Sequence, residues 1–378
     1  MNNRLIKRLP KANARLKGVG FTMPLKGVIC LLALAFMLSC KNKEVNYKTL
    51  KFTEYKTPVF LSELQKMWLI KDPNNSTGFY FLHDDYDNQL KFYGFKSKQL
   101  EIRGYLKPFA GRVADIKIYN DTLYLLGLES IAKYAIKDSL KGMVYPFYSK
   151  EYVRGLLINI NSQGIFIDVL KDLLYNNYSA HAARYTNGCE ALVKLERDTF
   201  FISSFTLHYP KYYQEKIRSF YSILYESVAV DDNMVYSFNL SEDLIKRDCK
   251  NGEITSIPFS SNYYKKPPDF DTSKMMDTYY HRKLSMTTFK RIIYNPERKE
   301  YYRIVFNALD KKANKQSVVL WSVIVGDENL NIKYEVVFDE NKYFSSTVIP
   351  TAKGFALVLA PKDLEEKNQL ILHEYELE

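Results

Sequence analysis

The chain has 378 residues, with 54 Lys and Arg against 43 Asp and Glu, a formal charge of +11. Seven of the basic residues and none of the acids fall in residues 1–39, so the remainder holds 47 against 43, or +4. So small an excess excludes the electrostatic footprint of a nucleic-acid binder, and 31 Tyr with 23 Phe favour strands over helices.

The N-terminus reads as an export signal. Val28–Leu38 is an unbroken run of eleven apolar residues. As a helix it reaches roughly 16 Å at about 1.5 Å per residue, about half a bilayer core, so it does not span. Arg4, Lys7, Arg8, Lys11, Arg15, Lys17 and Lys26 lie ahead of it without an acid, the layout of a secretory signal. The run ends in "MLSC" and turns at once into Lys-Asn-Lys-Glu. That ending resembles the lipobox of bacterial lipoproteins. The resemblance implies cleavage after residue 39, lipidation of Cys40, and a solvated tether over residues 40–55 ahead of a body over residues 56–378. Two or three acyl chains at about 0.8 kcal/mol per buried CH₂ hold such a protein durably. Met23 opens "MPLKGVICLLALAFMLSC", a complete shorter signal and an alternative start. By analogy, Lys41 after the Cys favours the outer membrane, with either leaflet open.

One phrase recurs along the body: an alternating strand, a turn of Asp, Asn, Gly or Pro, and a second strand opening on an apolar or aromatic residue. It appears as "IKDPNNSTGFYFL", "IKIYNDTLYLL", "LLININSQGIFIDV", "LVKLERDTFFIS", "VAVDDNMVYSF", "IIYNPERKEYYRIVF" and "TVIPTAKGFALVLA". The spacing from residue 75 to residue 352 averages about 46 residues, in the range of β-propeller blades. "SIAKYAIKD" and "QLILHEYELE" supply third strands. The expected fold is all-β, a single β-propeller with six blades favoured and seven possible, and a pair of β-sandwiches as the alternative. Pro58–Leu64 is placed to close the ring against the last strand, which hides two exposed edges.

With its lipobox, its Tyr- and Asn-rich hairpins and the stretch "RIIYNPERKEYYRIV", the chain resembles Bacteroidetes lipoproteins of unknown function with a TolB-like six-bladed propeller body. The resemblance implies architecture; it carries no catalytic residue onto this sequence.

Three segments exceed hairpin turns: residues 171–188, 206–225 and 260–288. Long loops in compact domains are usually functional or disordered. They hold His181, Arg184, His208, Tyr209, Tyr212, Tyr213, Tyr263, Tyr264, Tyr280, His281 and Arg282. Aromatic and Arg side chains suit stacking on a sugar or gripping a peptide or carboxylate. The alternative is that the tyrosines cover blade flanks. If the second and third loops share a face, Tyr212, Tyr213, Tyr280, His281 and Arg282 form one platform.

"HDDYDNQ" fails the calcium-loop template, because position 6 from Asp85 is Leu90 and position 12 is Lys96. It reads as a polar hairpin turn. "LHEYELE" lacks the second His of a zinc-protease helix, and no phosphate, dinucleotide or serine-nucleophile motif occurs. No metal or cofactor is expected. Arg298 and Arg303 are read as partners of Glu297 or Glu300, with anion binding as the alternative. Cys189 and Cys249 are a possible disulfide worth about 4 kcal/mol in the chain-entropy model, with two separate buried thiols as the alternative. "DSL" resembles the Asp-Ser/Thr-apolar acceptor of Bacteroidetes O-glycosylation and makes Ser139 a candidate glycan site; "DTL" at Asp121–Leu123 matches too, at the mouth of a strand.

The expected function is a non-enzymatic, outer-membrane-anchored binding or scaffold lipoprotein. It would be monomeric, with an envelope protein, peptide or glycan on the propeller loop face. A propeller glycan hydrolase or lyase using loop carboxylates is the alternative.

Overall fold

The computed structural model describes residues 42–58, 67–71, 78–83, 89–94, 99–105, 113–127, 130–136, 141–148, 153–154, 157–168, 170–171, 188–210, 225–266, 287–307, 321–338, 342–343, 348–359 and 369–378. Packing divides the chain into Met1–Lys41 and Asn42–Glu378, and every described residue belongs to the second unit.

The strands follow in chain order. β1 (Glu44–Asn46) and β2 (Phe52–Pro58) flank a short 3-10 turn at Tyr47–Thr49. The first meander is β3 (Met67–Lys71), β4 (Gly78–His83), β5 (Gln89–Gly94) and β6 (Gln99–Tyr105). The next is β7 (Val113–Tyr119), β8 (Thr122–Gly127), β9 (Ser130–Ala135) and β10 (Lys141–Tyr148). β11 (Val153–Arg154), β12 (Ile158–Asn161), β13 (Gly164–Asp168), β14 (Leu170–Lys171), β15 (Gly188–Glu196) and β16 (Thr199–His208) come next, β11 pairing only with β14. A regular meander, β17 (Tyr225–Val230), β18 (Asn233–Phe238), β19 (Asp243–Asp248) and β20 (Ile254–Pro258), precedes β21 (Thr288–Asn295), β22 (Glu300–Phe306), β23 (Trp321–Gly326) and β24 (Ile332–Phe338). The chain ends in β25 (Ile349–Thr351), β26 (Gly354–Val358) and β27 (Gln369–Glu376).

Turn chemistry places these strands. Asn120 and Asp121 have φ of 46° and 59°, and Arg197 and Asp198 have 47° and 62°. Two consecutive left-handed residues make the tight turn whose twist matches an antiparallel pair. All seven recurring phrases form hairpins. The one at Arg197–Asp198 joins β15 to β16 and so completes the meander begun at β12, instead of opening another.

The result is an all-β structure with a β-propeller arrangement, but the pairing corrects the expected count. Among the described residues there are five sheets of four or more strands, where six blades were favoured and seven allowed. The reason is a fusion: β10 runs parallel to β16 through Phe147↔Phe200 and Tyr148↔Phe201, which merges two runs of four into one eight-stranded sheet. The first strands β3, β7, β12, β17, β21 and β25 contact each other in that order, and β25 returns to β3.

Closure also differs from expectation. β2 pairs antiparallel with β27 from Phe52↔Tyr375 to Pro58↔Gln369, and β1 adds parallel to β24. Glu44–Asn46 and Phe52–Pro58, within or overlapping the span expected as tether as far as residue 55, are therefore sheet strands, and the closing segment is Phe52–Pro58, one strand earlier than Pro58–Leu64. The strand "FTEYKTP" reads as tether by composition because an outermost strand exposes much of its length; only Tyr55 is buried in Lys51–Lys56.

The core lies between sheets. Trp321 stacks on Phe338 at 3.9 Å, and Tyr47 stacks on the same ring at 4.8 Å, so the segment before β2 is sealed into the largest apolar cluster. Arg298 binds Glu300 at 2.7 Å, the ordinary pairing expected. Arg303 is fully buried and donates to the carbonyls of Phe259 and Ser241, each at 2.7 Å, and to Ser237 Oγ at 2.9 Å. Its place is structural, between β22 and the preceding meander. No helix among the described residues is long and apolar enough to cross a membrane.

Candidate functional site

Two groups of side chains stand out once the strands are in place. The first joins successive first strands. Asp115 Oδ2 on β7 accepts a hydrogen bond from the Ile158 amide of β12 at 2.9 Å. Asn159 on β12 donates to Ser227 Oγ on β17 at 2.6 Å. Glu226 on β17 pairs with Arg291 on β21 at 3.4 Å. Burial raises the Glu226 carboxyl above the ordinary range, Arg291 and Lys117 oppose that rise, and Asp115 adds to it. Each contact ties one inner strand to the next, and Glu226 is left as a protonatable carboxyl between a cation and a second carboxylate. The signal was present in the sequence as polar residues inside apolar strands, "VADIKIY", "ININ" and "YESVAV", but which strand each would face depends on the sheet order.

The second group lies on a face of the fused sheet. Cross-strand register lines up Thr122 with Ala135, Tyr124 with Lys133 and Met143, and Leu126 with Ile131 and Tyr145. Alternate residues share a face, so these rows form one surface. It carries an open, shallow cleft of about 410 Å³ lined by Thr122, Tyr124, Lys133, Ala135, Gly142, Met143 and Tyr145. The fusion contributes Phe200 from β16, whose ring meets Tyr145 edge-on at 5.7 Å. The Lys133 ammonium stands 5.7 Å from the ring centre of Tyr124, 5.5 Å from Tyr145 and 5.2 Å from Phe200. Ring faces attract a cation at such distances. Burial lowers the Lys133 pKa and raises that of the Tyr124 hydroxyl. Met143 is 57% exposed and forms the open lip. Gly142 lets β10 lie close: a Cβ there would sit 2.5 Å from the Lys133 carbonyl oxygen.

The residues singled out from sequence divide differently. His208 ends β16 on the surface, whereas Tyr209 is buried against Tyr225 and Phe238. Tyr263 donates to Glu44 at 2.8 Å and Tyr264 stacks on Phe289 at 5.8 Å, so both belong to packing around the N-terminal strand and β21. His181, Arg184, Tyr212, Tyr213, Tyr280, His281 and Arg282 lie outside the described residues, as do Cys40 and Ser139. The possible disulfide is not formed: Cys189 is a buried free thiol and Cys249 a half-buried one that takes a hydrogen bond from Asn161 at 3.4 Å. Among the described residues no group of three or more His, Cys, Asp or Glu is placed to hold a metal.

Buried charge on β15 is used for packing. Glu190 on β15 accepts from Tyr236 at 2.6 Å, Thr206 at 2.8 Å and Arg247 at 3.1 Å, and locks the fused sheet to the next meander.

No family model matches the chain, and no curated protein matches it. Solved structures do. One is a member of the DUF4221 family from Bacteroides vulgatus, 14% identical, with 86% of this chain and 98% of that chain covered at a TM-score of 0.61. Another is a Bacteroides fragilis protein named as a candidate exported protein, 11% identical, with 89% and 98% covered at a TM-score of 0.52. At these identities the likeness is one of fold.

Proposed function

We propose that the chain is an exported, lipid-anchored binding protein of the cell envelope that holds its ligand in the Tyr124–Lys133–Met143 cleft. The observation that carries this reading is the cleft itself: the half-buried ring of Tyr124 and the exposed Met143 thioether beside the half-buried Lys133 ammonium, on a floor that includes the buried Tyr145. Export and anchoring are supported by the "MLSC" ending at Cys40 and by fold likeness to a candidate exported protein. An outer-membrane location follows from Lys41 by analogy. The hydrolase or lyase alternative has less support, because Asp115 and Glu226 are each engaged in joining inner strands.

Envelope polysaccharide added to the full-length protein in detergent should slow amide exchange over residues 122–145, and Tyr124→Ala should abolish that protection. Protection absent there, or unchanged in the variant, overturns the reading. Separately, Cys40→Ser should release the protein from membranes; a variant that still sediments with the outer membrane after a salt wash overturns the lipid anchor.

A further inference from the structure

We propose that the cleft takes a sugar bearing a carboxylate, with the pyranose face on Tyr124 and the carboxylate on the Lys133 ammonium. This rests on the cleft-binding reading and names its ligand class.

The backbone argues against an extended peptide on this face. β9 pairs with β8 on one side and β10 on the other, and β8 pairs with β7 and β9, so the strands forming the floor offer little free main chain. β10 in turn pairs with β9 and, at Phe147 and Tyr148, with β16, so the face lies inside the fused sheet and not along an edge where a peptide strand adds. Recognition over the face must come from side chains: a ring, a hydroxyl, a thioether and an ammonium. A pyranose presents an apolar C–H face to a ring and hydroxyls around its rim. Thr122 lies two residues from Tyr124 on the same face, about 7 Å along the strand, which is within reach of a sugar hydroxyl.

Lys133 supplies the charge preference. Among the described residues no carboxylate lowers the cost of its burial, and its favourable contacts are with the ring faces of Tyr124, Tyr145 and Phe200. A partly desolvated cation with no acid beside it among the described residues is complementary to an anion that arrives with the ligand. A neutral sugar would leave that complementarity unused.

The test is calorimetric titration of the full-length protein in detergent with a hexuronic-acid trisaccharide, a sialylated trisaccharide, and each with its carboxyls reduced to alcohols. One or both acidic sugars should bind at least tenfold more tightly than their reduced forms, and the stronger of the two identifies the source of the carboxylate. Lys133→Met should erase that difference, Lys133→Arg should keep it, and Tyr124→Ala should weaken both forms. Thermal midpoints of the variants confirm that they are folded. Equal binding of acidic and reduced sugars overturns the ligand class while leaving cleft binding intact. Binding of none of the probes, with no exchange protection over residues 122–145 by any envelope polysaccharide, overturns both.

Discussion

The guanidinium of Arg303 lies 3.6 Å from the ring centre of Phe289, fully buried between β22 and the meander that precedes it. Besides the carbonyls of Phe259 and Ser241, it reaches the Glu242 carbonyl at 2.5 Å. These carbonyls belong to the loops at the ends of β18 and β20, so one side chain satisfies backbone groups that sheet pairing leaves over. Arg303→Met fills much of the volume but strips the donors. It should cost about 3–5 kcal/mol in urea unfolding, the scale of breaking a buried charged network. A loss below about 1 kcal/mol would mean that water replaces the guanidinium.

Arg197 holds φ at +47° in the β15–β16 turn, where the equivalent position of the β7–β8 turn is Asn120. A side chain with a Cβ pays a steric penalty in this region that glycine avoids. Arg197 is exposed, so little packing is lost by removing it. Arg197→Gly should therefore stabilise the protein by roughly 0.5–1 kcal/mol, read as a rise in thermal midpoint. A fall would show that the arginine makes a contact outweighing the strain.

Much of the architecture was legible in the sequence because hairpins are local. Asn120–Asp121, Ser162–Gln163 and Asp231–Asp232 announce their own turns, and the alternation around them sets the register. What joins hairpins is not local. The pairing of Phe147 with Phe200 spans a long connection and has no turn signature, so the fusion into five sheets was invisible. The same holds for Phe52–Pro58, whose partner strand begins at Gln369. The cleft lay between these cases. Folding "TLYLLG" onto "SIAKYA" by register would have put Tyr124 beside Lys133, but Phe200 enters only through the fusion. Tyrosine richness misled in part, since Tyr209, Tyr225, Tyr236 and Tyr302 are core.

Glu335 is completely buried on β24, where it accepts hydrogen bonds from Ser261 at 2.6 Å, Ser322 at 2.5 Å and the Asn262 amide at 2.9 Å. Burial raises its pKa despite these donors. A carboxyl raised in the folded state binds more protons folded than unfolded. Its contribution is therefore full below the ordinary glutamate value of 4.5 and is lost as pH rises through the folded value. Glu335→Gln should flatten the decline of thermal midpoint on the alkaline side of pH 4.5. Glu300 works in the opposite window: Arg298 and Lys333 outweigh burial and lower its pKa, so its stabilisation is lost as pH falls below 4.5. An unchanged slope above pH 4.5 in Glu335→Gln would place the proton elsewhere.

His373 on β27 fastens the closing strand. Its Nδ1 meets the Tyr343 hydroxyl at 2.7 Å, its Nε2 meets Glu54 on β2 at 3.2 Å, and Phe52 stacks on its ring at 4.3 Å. Burial lowers its pKa below 6.5, Glu54 pulls the other way, and Lys342 adds to the lowering. Between the folded value and 6.5 the unfolded chain holds the proton and the folded one does not, so stability is full above 6.5 and falls as pH drops toward the folded value. This slope is opposite in sign to that of Glu335, so the variants must be read separately. His373→Gln keeps an acceptor for Tyr343 but cannot take up a charge. After correction for intrinsic rates, amide exchange over residues 52–58 should be faster near pH 5 than near pH 7.5 in the parent protein, and the difference should vanish in His373→Gln. Exchange over those residues that is independent of pH in the parent would show that protonation of His373 does not loosen the closing strand.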